Sequence, residues 1–472
     1  MEQEGSKAIK AGIGYTVGNY MLKGLSFLTV PIFSHILSPA DFGIFNKYLA
    51  YQCMVFLLVG LSFHTSVKNA KYRYGEKFSE YNSCCILLAI WSLLIWLVVC
   101  NGTYFLYGEW LGFSRTVVNV LLLDSFGTAM IQFFNAYVGL YYRYDSFLKI
   151  AAFNALANLG LSVLLILTVY DGDRATGRIM GNAIPVMILA VVIIWYFWRQ
   201  QKPAFSHEYA SFALRYSVPL IPHGISQLVV SQFDRLMIEK MIGAWESGLY
   251  SFAYIIFSII NVTSTSLESV WGPWFYEQMK QEDHERIRKY SSKYAFGMLL
   301  LSSLVMLAAE ELVIILGDRE YWTAKYMVVP LVIGGYYMFL CTIPISVEYY
   351  YEKTKFVAVG TVSTAAINVV LNLFCITRFG YMAAAYTTLV TYLIYFTFHY
   401  FIAWRVAGKS MFQTGRLVLY MFAAALAGAV SLVFIEQRLI RLPLFLAVGV
   451  LAVVWEEREV GILAKIRGRL GK

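Results

Sequence analysis

Apolar runs follow one another from Ile13 almost to the C-terminus, separated by short polar stretches. A helix needs about 20 such residues to cross a bilayer, and roughly fourteen runs of that length can be laid along the chain by hydropathy. They fall near residues 13–37, 42–65, 83–107, 116–140, 147–170, 177–198, 215–238, 248–275, 293–316, 327–349, 356–377, 381–404, 415–435 and 442–456. The expected fold class is an all-α polytopic membrane protein. The first run is long and has no small-residue cleavage site, so it reads as a span that stays.

Composition agrees. Hydrophobic residues make up 59% of the 472 residues and charged residues 14%, against about 25% charged in an ordinary soluble domain. The six cysteines lie inside apolar runs without zinc-ligand or disulfide-framework spacing. The net charge of +9 is distributed as topology rather than as a nucleic-acid patch. Alternate loops collect about 26 Lys/Arg on one side and about 9 on the other, which puts both termini in the cytoplasm. The longest connections, 199–215 and 276–293, are on the basic side. The second (KQEDHERIRK) is expected to be a solvated helix in the loop. The exterior loops are only about 5–12 residues, too short to fold alone, which disfavours a membrane glycan polymerase. The basic tail 457–472 places Val460, Leu463, Ile466 and Leu470 on one helical face, suited to an anionic leaflet; a frayed terminus is equally compatible.

An internal repeat comes next. ILSPADFGIF (Ile36–Phe45) aligns without gaps on MIGAWESGLY (Met241–Tyr250), and Asn158-xxx-Ser162 echoes Asn368-xxx-Asn372. Six spans separate the copies, so the halves point the same way, a transporter design with substrate handled between repeats. The expected organisation is an N-terminal lobe (1–200, spans 1–6), a pseudo-symmetric C-terminal lobe (201–406, spans 7–12), and spans 13–14 with the tail (407–472).

Polar residues recur at helical spacing inside the spans. Span 1 carries Thr16, Asn19, Lys23 and Ser26; span 4 Asp124, Thr128, Gln132 and Asn135; span 7 His223, Gln227, Ser231 and Asp234. Span 8 carries Ser251, Tyr254, Ser258, Asn261, Thr265 and Glu268; span 11 Thr361, Thr364, Asn368 and Asn372. Such stripes either glue helices together or line a cavity, the reading favoured for ionisable groups. Lys23, Lys47 and Arg235 lie within or at the edge of spans; Lys47 is near the outer boundary and could snorkel. Asp124, Asp234, Glu268 and Glu348 are candidates for ion or proton coupling, or else they neutralise the cations. Prolines at 31, 185, 219, 222, 273, 330 and 344 mark positions where spans can kink. The 35 tyrosines and 11 tryptophans suit interfacial belts. There is no GxxxxGK[ST], HExxH, paired CxxC or GxSxG. No soluble-enzyme chemistry and no cofactor are expected.

FLTVPIFSHILSPADFGIF (Phe27–Phe45) and PLIPHGISQLVVSQFDRLMIEKMIGAWESGLYSFAY (Pro219–Tyr254) resemble the Wzx-type polysaccharide (O-antigen) flippases of the multidrug/oligosaccharidyl-lipid/polysaccharide exporter superfamily. The resemblance runs through the whole chain in span number and order. It implies two six-helix lobes around a central cavity plus two C-terminal helices. It also implies transfer of an undecaprenyl-pyrophosphate-linked oligosaccharide across a bacterial inner membrane. Further partners would be membrane lipids, a polysaccharide polymerase and glycosyltransferases, with no nucleic acid. On this reading Lys23, Lys47 and Arg235 hold the pyrophosphate, a ligand suited to point charges, in a cavity lined by spans 1, 2, 7 and 8. Thr16, Asn19, Asn261 and Thr265 contact sugar hydroxyls. Related flippases use cationic cavity residues; Arg235 lies in span 7, where span 8 would be expected. A cation-coupled drug exporter of the same superfamily is the rival.

Overall fold

The computed structural model describes residues 24, 27–141 and 143–459, and among these the regular structure is helical throughout. It forms two compact units, Met1–Leu236 and Met237–Lys472. The first unit contains α1 (Val30–Ile36), α2 (Pro39–Val59), α3 (Val67–Tyr74), α4 (Phe78–Gly102), α5 (Tyr104–Leu111), α6 (Arg115–Leu140), α7 (Tyr144–Thr168), α8 (Arg174–Gln200) and α9 (His207–Ser217). Helix α10 (Ile221–Met241) runs across the division. The second unit continues with α11 (Ala244–Lys280), α12 (His284–Leu307), α13 (Ala309–Leu316), α14 (Lys325–Tyr350), α15 (Thr354–Phe379), α16 (Ala383–Ala407), α17 (Thr414–Val433) and α18 (Arg438–Glu459).

Among the described residues ten helices are long and apolar enough to cross a membrane, and the bent pair α12–α13 makes an eleventh. Helices α10 and α16, of 21 and 25 residues, have span length but more polar sequences. The first expected span is described mainly in its last part, α1. Of the roughly fourteen spans read from hydropathy, ten, or eleven with the bent pair, thus pass by length and composition among the described residues, and two further helices have the length. Their ends move: the loop helix expected in 276–293 is instead membrane-helix extension. Helix α11 runs on to Lys280, α12 begins at His284, and Asp283 caps it by accepting from the Arg286 N–H at 3.0 Å. An acidic N-cap satisfies an orphan donor, so alternating charge here marks a helix start.

The repeat motif owes its residues to the same physics. Ser38 caps α2 in a capping box: its hydroxyl accepts from the Asp41 N–H (3.2 Å) and Asp41 accepts from the Ser38 N–H (3.2 Å). Pro39 follows at the first helical position. The second copy starts α11 at Ala244, 205 positions after Pro39, with Glu246 matching Asp41 in the first turn. The later helices keep a common offset of 210: α6 and α14 start at Arg115 and Lys325, α7 and α15 at Tyr144 and Thr354. In each unit the pairs pack alike, α6 and α7 on α8, α14 and α15 on α16.

One sharp bend is not set by a proline. A 59° break separates α12 from α13 at Ala308, where the sequence has no proline. The two prolines at 219 and 222 instead produce a 3-10 turn, Val218–Leu220, between α9 and α10. At the Ala308 break the final carbonyls of α12 lose their intrahelical partners. Ser431 of α17 donates to the Met306 carbonyl at 2.5 Å, and Arg441 of α18, fully buried, donates to that of Leu307. The same guanidinium bonds Glu310 at 2.6 Å and both carboxylate oxygens of Glu311. Lys325 bonds Glu310 and Glu436, each at 3.2 Å. The Tyr326 hydroxyl and Lys325 hold the exposed Glu436 carboxyl below the usual carboxylate range. This cluster ties α18 and the α17–α18 turn to the bend.

Arg441→Ala would remove a buried donor from Glu310, Glu311 and the Leu307 carbonyl. The expected loss is about 3–5 kcal/mol, the cost of removing one partner of a buried pair. A lowered thermal midpoint of the detergent-purified protein checks it; a midpoint equal to wild type would show that the cluster does not anchor α18.

Candidate functional site

In the first unit a chain of hydrogen bonds joins a buried anion to a cation across four helices. Asp124 of α6 is 0% exposed. Its Oδ2 accepts from the Tyr48 hydroxyl of α2 (2.8 Å) and from the Asn182 amide of α8 (3.1 Å). Asn182 Oδ1 accepts from the Asn158 amide of α7 (2.5 Å), and Asn158 Oδ1 accepts from Arg178 of α8 (2.6 Å). Arg178 also donates to Ser162 at 2.6 Å, and its guanidinium lies over Phe33 (3.9 Å) and Phe45 (4.3 Å). The two amides are aligned head to tail, positive end toward Asp124 and negative end toward Arg178. Two unit charges in contact attract by about 4 kcal/mol at an effective dielectric of 20. Inserting two amides gives up much of that and replaces it with polarised hydrogen bonds. No carboxylate of the described residues pairs with Arg178, and Asp124 Oδ1 has no partner among them.

Gly181 makes the arrangement possible. Any side chain there would collide with the Ser162 backbone, so α7 and α8 meet at a small-residue contact. That contact brings Asn158 and Ser162 against Arg178 and Asn182. Beside the chain, Gln52 donates to Thr128 at 2.9 Å.

The second unit repeats the positions with different chemistry. Asn368 and Asn372 of α15 stand where Asn158 and Ser162 stand, and Thr388 where Arg178 stands, all 210 positions on. Asn372 donates to Asn368 at 3.1 Å and accepts from Thr387 of α16. The ionisable pair lies elsewhere: Glu348 of α14 and His399 of α16, both 0% exposed, are joined Oε1 to Nδ1 at 2.6 Å. An apolar groove of about 700 Å³ lies alongside, lined by Phe396, Tyr400, Phe401, Trp404, Val418 and Phe422 among others.

Other residues singled out in the sequence fall as follows. Thr16, Asn19, Lys23 and Ser26 lie outside the described residues, as do the side chains of Gln227 and Ser231. Lys47 is buried (6% exposed) with its ammonium 5.0 Å from the Phe113 ring centroid. Arg235 donates to Gln232 at 2.8 Å, and Asp234 is buried. On α11, Asn261 is half-buried and Thr265 and Glu268 are exposed. They lie roughly a quarter-turn around that helix from Ile256, Ile260, Trp271 and Phe275, which are buried.

Comparison with known proteins fits this architecture. The profile of the family described as "Polysaccharide biosynthesis protein" matches residues 9–279. The chain belongs to this family. A Haemophilus influenzae protein of the Lsg locus is 22% identical over 391 residues, 77% of this chain and 90% of that protein. Among solved structures, the lipid II flippase MurJ in an inward closed conformation superposes with TM-score 0.68 at 12% identity, covering 95% of this chain and 99% of that one. An inward-facing multidrug-resistance MATE transporter gives 0.58 at 14%, covering 82% and 96%. A Pyrococcus furiosus transporter of the same superfamily gives 0.53 at 14%, covering 85% and 96%. The fold is that of the multidrug/oligosaccharidyl-lipid/polysaccharide exporter superfamily.

In this polysaccharide-biosynthesis family member, Asp124 and Glu348 were legible in the sequence as charged groups within spans. Arg178, Tyr48, Asn182 and His399 were not. Arg178-xxx-Asn182 on one helix face, opposite Asn158-xxx-Ser162, is the pattern that could have revealed them. Asn182→Leu should cost about 1–3 kcal/mol, because buried Asp124 loses a donor. Adding Asp124→Leu should recover part of it. Thermal unfolding of the single and double variants measures the coupling; strictly additive losses would mean the chain is not one network.

Proposed function

We propose that this protein is a flippase that carries undecaprenyl-pyrophosphate-linked oligosaccharide units across the bacterial inner membrane by alternating access, for surface polysaccharide synthesis. The observation that carries the reading is the presence of two cations, Lys47 and Arg178, within the spans of the first unit. Lys47 is buried against an aromatic ring and Arg178 is held by neutral groups only among the described residues. Burying cations in lipid-facing bundles is costly, and a pyrophosphate passing through would repay that cost with charge-assisted hydrogen bonds. Membership of the polysaccharide biosynthesis family supports a glycan precursor over a drug cation.

In this reading Lys23, Lys47 and Arg235 hold the pyrophosphate, joined by Arg178. Thr16, Asn19, Asn261 and Thr265 meet sugar hydroxyls, the last two from a face of α11 roughly a quarter-turn from its buried residues. The prenyl tail stays in lipid. Asp124, Asp234, Glu268 and Glu348 are the groups available for ion coupling. The functional halves are residues 1–200 and 201–406, both termini are cytoplasmic, and no catalytic step is involved. The polymerase and glycosyltransferases of the pathway would act on either side of the transfer.

The test is translocation in liposomes of a fluorescent undecaprenyl-pyrophosphate oligosaccharide, followed by leaflet accessibility. Wild type should transfer it, and Lys23→Ala and Arg178→Ala should each slow transfer about tenfold or more, the equivalent of one charge-assisted hydrogen bond. Full activity in both variants, with normal expression, would remove the anion-site assignment. No transfer by wild type with several glycans and imposed gradients, together with resistance to organic cations on expression, would favour drug export instead.

A further inference from the structure

The Glu348–His399 pair has features that an ordinary structural ion pair lacks. Both side chains are 0% exposed, yet each uses only one polar atom. Glu348 Oε2 and His399 Nε2 have no hydrogen-bond partner among the described residues. Arg441, also fully buried in this unit, bonds two carboxylates and a carbonyl through its two terminal nitrogens and leaves only Nε unpartnered among the described residues. A structural pair is stable only when its remaining lone pairs and protons are also satisfied. Gly360 of α15 lets that helix close on Nε2: a methyl group there would overlap the imidazole nitrogen.

From this geometry we infer that Glu348 and His399 form a binding site for one proton that couples the second unit to a proton gradient. The inference rests on the transporter reading above and supplies its driving ion. In the empty site the Glu348 carboxylate accepts from Nδ1–H of neutral His399, and the pair carries one negative charge in an apolar interior. A proton adds to Nε2, the pair becomes neutral overall, and no other bond is made or broken. Occlusion therefore favours the loaded state, because burying a net charge is costly. Water reaching Nε2 favours release from the same atom. Motion of α14 or α15 against α16 changes that access.

Several titratable groups surround the pair. Cys341 and Tyr349 of α14 and Tyr395 of α16 stand nearby, Tyr395 meeting the His399 ring edge-on at 4.4 Å. From α15, Thr361 shares a hydrogen bond with the Tyr395 hydroxyl at 3.3 Å. From α11, Glu268 is within electrostatic reach of Tyr349. Among the described residues no Lys or Arg pairs with Glu348.

Two readouts on the full-length protein test this. Infrared difference spectra of the detergent-purified protein, titrated with pH, should contain imidazole-to-imidazolium ring bands that disappear in His399→Gln. Their midpoint should move in Glu348→Gln and in Gly360→Ala, which keeps both partners but crowds Nε2. In liposomes, an imposed proton gradient should raise transfer of the fluorescent lipid-linked oligosaccharide by wild type. The ratio of rates with and without the gradient should fall to one in Glu348→Gln. Bands and a midpoint unchanged in all three variants would overturn the proton site, and a retained gradient ratio in Glu348→Gln would overturn the coupling. If wild type moves no lipid-linked sugar, the flippase reading fails, and the infrared titration still decides the proton site.

Discussion

A hydrocarbon interior supplies no water, so each polar group carried into it must find its partner on another part of the chain. This requirement organises the molecule at every scale. At the bend between α12 and α13, carbonyls released by the break are met by Ser431 and Arg441, and Arg441 in turn is neutralised by Glu310 and Glu311. The result is a dense cluster of charged partners. Asp124 and Arg178 meet the requirement differently, through a line of polarised amides that keeps the charges apart. Glu348 and His399 meet it only in part. The three solutions form a gradient from anchoring to readiness for a ligand or a proton.

The two units show how one helical register can carry two chemistries. Helices begin at matched positions and pack in the same pairs, although the side-chain caps of Ser38 and Ser114 have no counterpart at Gly243 and Ala324. The polar side chains placed on that frame differ. The first unit has an arginine bound to asparagine and serine where the second has threonine among asparagines. Helix geometry constrains the backbone and the small residues at crossings strongly and the polar residues beside them weakly. Duplicated halves can therefore diverge in what they bind while keeping how they fold.

By itself the sequence determined the class, the approximate number and order of spans, the two-fold internal repeat and the resemblance to polysaccharide exporters. These follow from local properties: hydrophobic length, turn and capping residues, and matched spacing. Asp124 and Glu348 were legible for the same reason, since a charge within an apolar run is visible without knowing its neighbours. Their partners were not. Tyr48 and Asp124 are 76 positions apart, and Glu348 and His399 are 51 apart. Tyrosine and histidine in a chain rich in aromatics carry no local mark of such a role. Arg178 lies one turn inside its span, where it reads as a loop charge until Gly181 is seen to bring α7 against it. The break at Ala308 was equally hidden, because Arg441, which meets the Leu307 carbonyl beside it, lies more than 130 positions later. Only the tertiary structure decided which polar groups meet, since in a bundle of helices that choice depends on crossing points and facing directions set by many contacts together.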